Sequence, residues 1–227
     1  MDGASDILQN LSVIAIPILL AITLHEAAHG YVANYFGDPT AKNLGRLSLN
    51  PIRHIDPFGT IILPALLFFT SGFIFGYAKP VPVQTQNLGN PKRDMMWVAL
   101  AGPAANIFLA LMGGVLLVVS GVLPEPIQSW FLQNAHFLIL FNIILAIFNM
   151  FPLPPLDGGR VLTGLLPGPL AYQFARIERY GLLILIGLIF VLPFALGAAG
   201  INFSLFEVLV FRPALALYDI IVGLFTG

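Results

Sequence analysis

Apolar residues gather along this chain in six stretches, roughly 11–36, 58–78, 95–120, 134–152, 181–199 and 203–226. Between them run segments rich in Pro, Gly and Asn, at 37–57, 79–93, 121–133 and 153–180, which read as loops. Several stretches reach the roughly 20 apolar residues that cross a bilayer as a helix. The pattern therefore predicts an all-α polytopic membrane protein of five to six transmembrane helices with short extended loop segments. One stretch departs from it: 58–78 contains Pro64, and Gly72 and Gly76 near its end, which suit a broken or re-entrant element. Such backbone is tolerated at membrane depth only where protein or a water-filled cavity surrounds it.

Composition strengthens the membrane assignment. Hydrophobic residues make up 58% of the 227 and charged residues 9%, against about 25% charged in an ordinary soluble domain. A soluble chain of this length has no core large enough to hide all six stretches. A net charge of −1 gives no field that would favour nucleic acid, and the absence of cysteine excludes disulfides and thiolate chemistry. The first ten residues carry Asp2 and Asp6 but no lysine or arginine, so the first stretch is expected to be a retained helix rather than a signal peptide. No internal repeat is visible, and a single membrane-embedded domain over 1–227 is expected, with a core about 11–165 and C-terminal helices about 181–226.

Charge placement gives a topology. Lys42, Arg46 and Arg53 lie in the first loop, Lys79, Lys92 and Arg93 in the second, and Arg160, Arg176 and Arg179 in the fourth. Lys and Arg near membrane ends accumulate on the cytoplasmic side. If 58–78 enters and leaves on one side, all nine of these cations are cytoplasmic. The expected arrangement is thus five spans plus a re-entrant segment, N-terminus outside and C-terminus inside, with six full spans as the alternative.

Against that background the run "HEAAH" is chemically costly. Ionisable residues inside a membrane helix are rare and usually functional. His25 and His29, four residues apart, stack on one helix face where two imidazoles can hold one metal ion. Glu26 lies beside the first of them, placed to reach the attacking water rather than the metal, as the general base of a zinc-metalloprotease signature does. With the span starting near residue 11, His25 lies about 21 Å along it at 1.5 Å per residue. That leaves it about 9 Å below the cytoplasmic face of a 30 Å hydrocarbon slab, so water must arrive through a cavity.

A catalytic zinc needs a third protein ligand and an open position. Asp157 in "NMFPLPPLDGGR" is at the right depth on the same side. Pro152, Pro154 and Pro155 unwind the chain before it, and Gly158 and Gly159 are expected to allow a tight turn after it. His54 is the rival, as a third nitrogen or an oxyanion stabiliser, while Asp56 reads as a cap. Asn106 follows the small residues Ala101, Gly102, Ala104 and Ala105, which permit close helix packing; it reads chiefly as packing glue and secondarily as a residue lining the site. Trp97, Trp130 and His136 read as interfacial. Arg212, Glu207 and Asp219 in the last stretch are expected to form a buried ion network.

The motifs "HEAAHG", "AGPAAN" and "NMFPLPPLDGGR", in that order across most of residues 20–165, resemble the site-2 protease family of intramembrane zinc metalloproteases. The segments "GRLSLNPIRHIDPFGT" and "GYAKPVPV" resemble a compact prokaryotic branch without PDZ or CBS domains. The resemblance implies one Zn2+ per chain, with His25, His29 and Asp157 as its ligands and Glu26 as catalytic base. It further implies that Asn149 lies near the site and holds the substrate backbone, in competition with a plain helix–helix hydrogen bond. Its implied partners are a transmembrane protein substrate and the lipid bilayer, with no nucleic acid. Its implied location is a bacterial or archaeal plasma membrane, with the site toward the cytoplasm. The stretch 58–78 departs from better-known members, many of which have only a short strand-rich insert there. Two other function classes remain: a transporter or channel, which inverted repeats would support, and a metal-binding pseudoprotease scaffold, against which the intact Glu26 weighs.

Overall fold

A computed structural model describes residues 2–62, 66 and 79–227. The apolar stretch 58–78 therefore lies outside the described residues beyond Ile62, apart from Leu66, and with it the choice between a re-entrant segment and a sixth span. Its first turn, Pro57–Ile62, is helical and is capped by Asp56, whose Oδ1 accepts from the amides of Phe58 at 3.0 Å and Gly59 at 2.7 Å.

Among the described residues seven helices carry the architecture: α1 (Asp2–Tyr35), α2 (Pro91–Ser120), α3 (Ile127–Asn149), α4 (Asp157–Leu165), α5 (Gly168–Ala175), α6 (Glu178–Ala198) and α7 (Glu207–Thr226). Among the described residues no β-strand forms, and five helices (α1 from Leu8, α2, α3, α6 and α7) are long and apolar enough to cross a membrane. That agrees with the hydrophobic pattern, with two differences of extent. The third loop is shorter than its polarity suggested, because α3 begins at Ile127, directly after Pro126 at its N-cap. The fourth loop contains α4 and α5, too short and too mixed in character to register as apolar runs.

Helices α1, α2 and α3 pack side by side, and α7 closes on α2 and α3 through Ala110, Leu117, Ala135, Ile139, Ile143, Ala214 and Ile221. Lipid tails are as apolar as leucine, so close van der Waals packing rather than burial from water holds such helices together. Glycine permits that approach: a Cβ on Gly113 would lie 2.6 Å from Ile139 Cγ1. Asn90 starts α2 with a reciprocal cap, its side chain accepting from Arg93 N while Asp94 Oδ2 accepts from its own amide at 2.6 Å.

Beyond α1 the chain folds back under its C-terminal third. Asp38, fully buried, gathers the amides of Thr40 and Gln84, the Thr40 hydroxyl and the Asn87 side-chain amide. These bonds press the extended run 79–84 against α1, where Val81 and Leu47 flank Gly30. Burial pushes the Asp38 carboxyl up, but the bonds from Thr40, Asn87 and Gln84 outweigh it and hold it below the ordinary carboxylate value.

The expected buried network in the last helix does not form. Arg212 and Glu207 pair at 2.9 Å, but both side chains are more than half exposed, and Asp219 is exposed and outside the pair. The pair lies in the first turns of α7, where long side chains reach outward instead of into the bundle. His136 is half-buried and joins α3 to α7 through a 2.5 Å hydrogen bond with Tyr218, while Trp130 reaches Ser12 of α1 and Trp97 is exposed.

Candidate metal centre

His25 and His29 project from one face of α1, one turn apart, with ring centroids 4.6 Å apart. Their Nε2 atoms lie 3.1 Å apart, and Asp157 Oδ2 lies 3.2 Å from the first and 3.3 Å from the second. Asp157 reaches them because α3 ends at Asn149. The prolines that follow hold 150–156 out of helix, and α4 starts at Asp157 itself. Its carboxylate thus sits on the first turn of a helix, where free amides and the helix dipole favour negative charge. Gly158 and Gly159 have ordinary helical φ and serve packing rather than a turn: a Cβ on either would drive into the backbone of 150–154.

The chemistry of the donor set fits a metal ion. Each histidine places its Nδ1 against an oxygen, His25 against Asn106 Oδ1 at 2.6 Å and His29 against the Val98 carbonyl at 2.7 Å. Both Nδ1 atoms therefore carry hydrogen, and both Nε2 lone pairs point at the same spot as the Asp157 oxygen. All three residues are buried, and Asp157 Oδ2 has no hydrogen-bond donor. Three converging electron pairs without a proton between them repel; a cation removes the conflict. Tetrahedral zinc with ligands at 2.0–2.1 Å needs ligand atoms about 3.3 Å apart, close to the three separations observed. Gly102 on α2 keeps the space clear, since a Cβ there would lie 2.5 Å from His29 Nε2 and 2.6 Å from His25 Cε1.

Glu26 sits next to this cluster and outside it. Its Oε2 accepts the Val81 amide at 2.7 Å, so the run 79–84 holds one carboxylate oxygen. Pro80 and Pro82 flank Val81 and lack amide hydrogens, which leaves the Val81 N–H as the donor the run can aim at Glu26.

The other residues singled out in sequence fall in different places. Asn106 is fully buried and touches His25 directly, as more than packing glue. His54 is buried but stands outside the His25–His29–Asp157 cluster; its Nε2 donates to the Ser48 carbonyl at 2.7 Å, and its own carbonyl accepts from Lys79 N. Asn149 bonds back to Leu145 O of its own helix at 3.0 Å. Asn142, overlooked in sequence, is fully buried and bonded to Asn106 at 2.8 Å. Its signal was available: Asn134, Asn142 and Asn149 recur at seven- and eight-residue spacing within the apolar α3, which keeps them on one face.

Residues 124–192 match the model of peptidase family M50. The chain is 39% identical over 184 residues to "Putative zinc metalloprotease YwhC" of Bacillus subtilis, covering 79% of this chain and 80% of that protein. It is 30% identical over 192 residues to "Putative zinc metalloprotease Rip2" of Mycolicibacterium smegmatis, covering 82% of this chain and 72% of that protein. No solved structure gives a significant match. Relatives matched over most of both chains, together with the family model on α3 to α6, establish that this chain belongs to peptidase family M50, the site-2 protease family of membrane zinc metalloproteases.

Proposed function

We propose that this protein hydrolyses peptide bonds within or next to transmembrane segments of membrane-protein substrates, using one zinc ion per chain. His25, His29 and Asp157 would hold the ion, and Glu26 is the general base. The observation that carries this reading is the convergence of His25 Nε2, His29 Nε2 and Asp157 Oδ2, 3.1–3.3 Å apart, inside an apolar bundle. When bound, zinc supplies Lewis-acid chemistry, acidifying a water molecule and polarising a carbonyl.

The chain's own residues do the rest. Glu26, steadied through Oε2 by Val81, takes a proton from the attacking water on its other oxygen and returns it to the leaving amine. Gly102 leaves room for a water and a carbonyl over the histidines. A substrate helix must unwind before its carbonyls can react, and two non-helical segments, the run 79–84 and the proline-broken turns of 150–156, are placed to offer it backbone partners. An apolar cavity of about 620 Å³, lined by Leu100, Pro103, Ala104, Ile147, Met150 and Phe151 among others, opens beside the loop that leads to Asp157 and suits an apolar segment. The nine loop cations support a site facing the cytoplasm of a prokaryotic cell.

Detergent-purified protein tests the reading directly. Wild type should carry near one zinc and cleave a reporter transmembrane substrate. Glu26→Gln should keep the zinc and lose cleavage, and Asp157→Ala should lose both. Cleavage by Glu26→Gln would end the base assignment, and a zinc-free wild type would end the metal reading.

A further inference from the structure

The two histidines reach the same tautomer by unequal means. His29 Nδ1 faces a backbone carbonyl, which can only accept, so its ring hydrogen is fixed by the main chain. His25 Nδ1 faces a side-chain amide, and an amide presents oxygen or nitrogen depending on which way it is turned. Turned the other way, Asn106 would offer N–H to His25 Nδ1. The ring hydrogen would then move to Nε2, and the lone pair aimed at Asp157 would be lost.

We infer that Asn142 is a positioning residue that, through Asn106, holds His25 in the metal-binding tautomer; the inference rests on the metal reading above. Two backbone carbonyls, Leu138 O and Ala21 O, are acceptors only and orient both amides. Asn142 Nδ2 donates to Leu138 O at 2.8 Å, so its Oδ1 must point the other way, toward α2. There it accepts one hydrogen of Asn106 Nδ2 at 2.8 Å, and the second hydrogen goes to Ala21 O of α1 at 3.2 Å. With both amide hydrogens committed, Asn106 Oδ1 is the atom left for His25, 2.6 Å away. Each orientation follows from the one before it, and both asparagines are fully buried, where a missing hydrogen-bond partner is costly. The chain links α3, α2 and α1, and it gives the small-residue approach at Gly102 a second purpose. Close packing brings Asn106 within reach of a ring on the neighbouring helix.

Two variants and two readouts test this. Asn142→Leu removes the acceptor at similar volume. Asn142→Asp keeps an acceptor for Asn106 but loses the donation to Leu138. The tautomer of His25 is read by nitrogen NMR of histidine-labelled, metal-free protein, and zinc affinity by competition with a chelator. Asn142→Leu should give mixed His25 tautomers and bind zinc about 10- to 100-fold more weakly. Asn142→Asp should keep the wild-type tautomer, and His29 should keep its tautomer in both variants. An unchanged His25 tautomer in folded Asn142→Leu would overturn the inference. So would a tautomer change in Asn142→Asp, which decides the matter if Asn142→Leu does not fold. Because the tautomer is read without metal, a wild type that binds no zinc would refute the metal reading separately.

Discussion

The three N-terminal spans and the two C-terminal ones are all apolar enough to cross a membrane but are differently built. A third or more of the hydrophobic windows of α1, α2 and α3 is buried, against 11% in α6 and 17% in α7. The first group also holds most of the buried polar side chains, His25, His29, Asn106, Asn142, Asn134 and Ser120 among them, and Asp157 on α4 reaches in to join the two histidines. In α6 and α7 the polar features are peripheral, the exposed Glu207–Arg212 pair and the contact from Tyr218 to His136. Polar side chains in a bundle need fixed partners, and fixed partners need helices that cannot shift. Chemistry therefore sits where packing is tightest, while loosely packed helices present apolar surface to lipid or substrate.

Substitutions in the two regions should differ accordingly. The largest effect is expected at Gly102, where a single methyl group would occupy the space over His29 Nε2. Gly102→Ala should lose most bound zinc and all detectable cleavage, read by metal content and reporter cleavage, while circular dichroism keeps its helical signature. Retained zinc would mean the bundle opens at α2 more easily than its packing implies. Next comes Ile139→Ala in α3, which leaves a hole against Gly113 and should cost about 2 kcal/mol in a reversible unfolding assay. That is the low end for such a change, because lipid offers the unfolded helix an equally apolar surrounding.

The Asp38 clamp should report through pH. Its carboxyl is held below the ordinary value in the folded protein, so the unfolded chain takes up a proton first. The stability Asp38 contributes is complete above the ordinary carboxylate range and is lost as pH falls through the folded-state value. Asn at this position has an amide in place of one accepting oxygen. Asp38→Asn should therefore lower the midpoint of thermal unfolding near neutral pH and flatten its decline on acidification. A parallel acid limb in wild type and variant would remove Asp38 from that role. The smallest effects belong to the outer helices. Phe194→Ala in α6 and Arg212→Ala in α7, both exposed, should each shift stability by less than about 1 kcal/mol.

Much of the candidate site was legible in the order of residues. His25, Glu26 and His29 share one helical turn, and Asp157 follows a run of prolines that must break a helix, so local rules suffice to single them out. Asn106 was visible as a polar residue among small ones, but not which ring it faces. Asn142 went unread because one amide in an apolar run resembles any helix–helix hydrogen bond until its neighbour is known. The ion network expected of Arg212, Glu207 and Asp219 failed for a related reason. Proximity along a helix said nothing about which face would be covered, and α7 left Asp219 exposed.

By itself the sequence determined that this is a bundle of apolar membrane helices in which His25, Glu26 and His29 share one turn and Asp157 follows a helix break, because hydrophobic runs, helical period and proline stops are local properties. Only the tertiary structure decided which oxygen each histidine nitrogen meets, that Val81 holds Glu26, and that Gly102 clears the space above the cluster. Those contacts join residues at least 55 positions apart. Their geometry depends on how closely three helices approach, a property of packing that no single stretch of chain encodes.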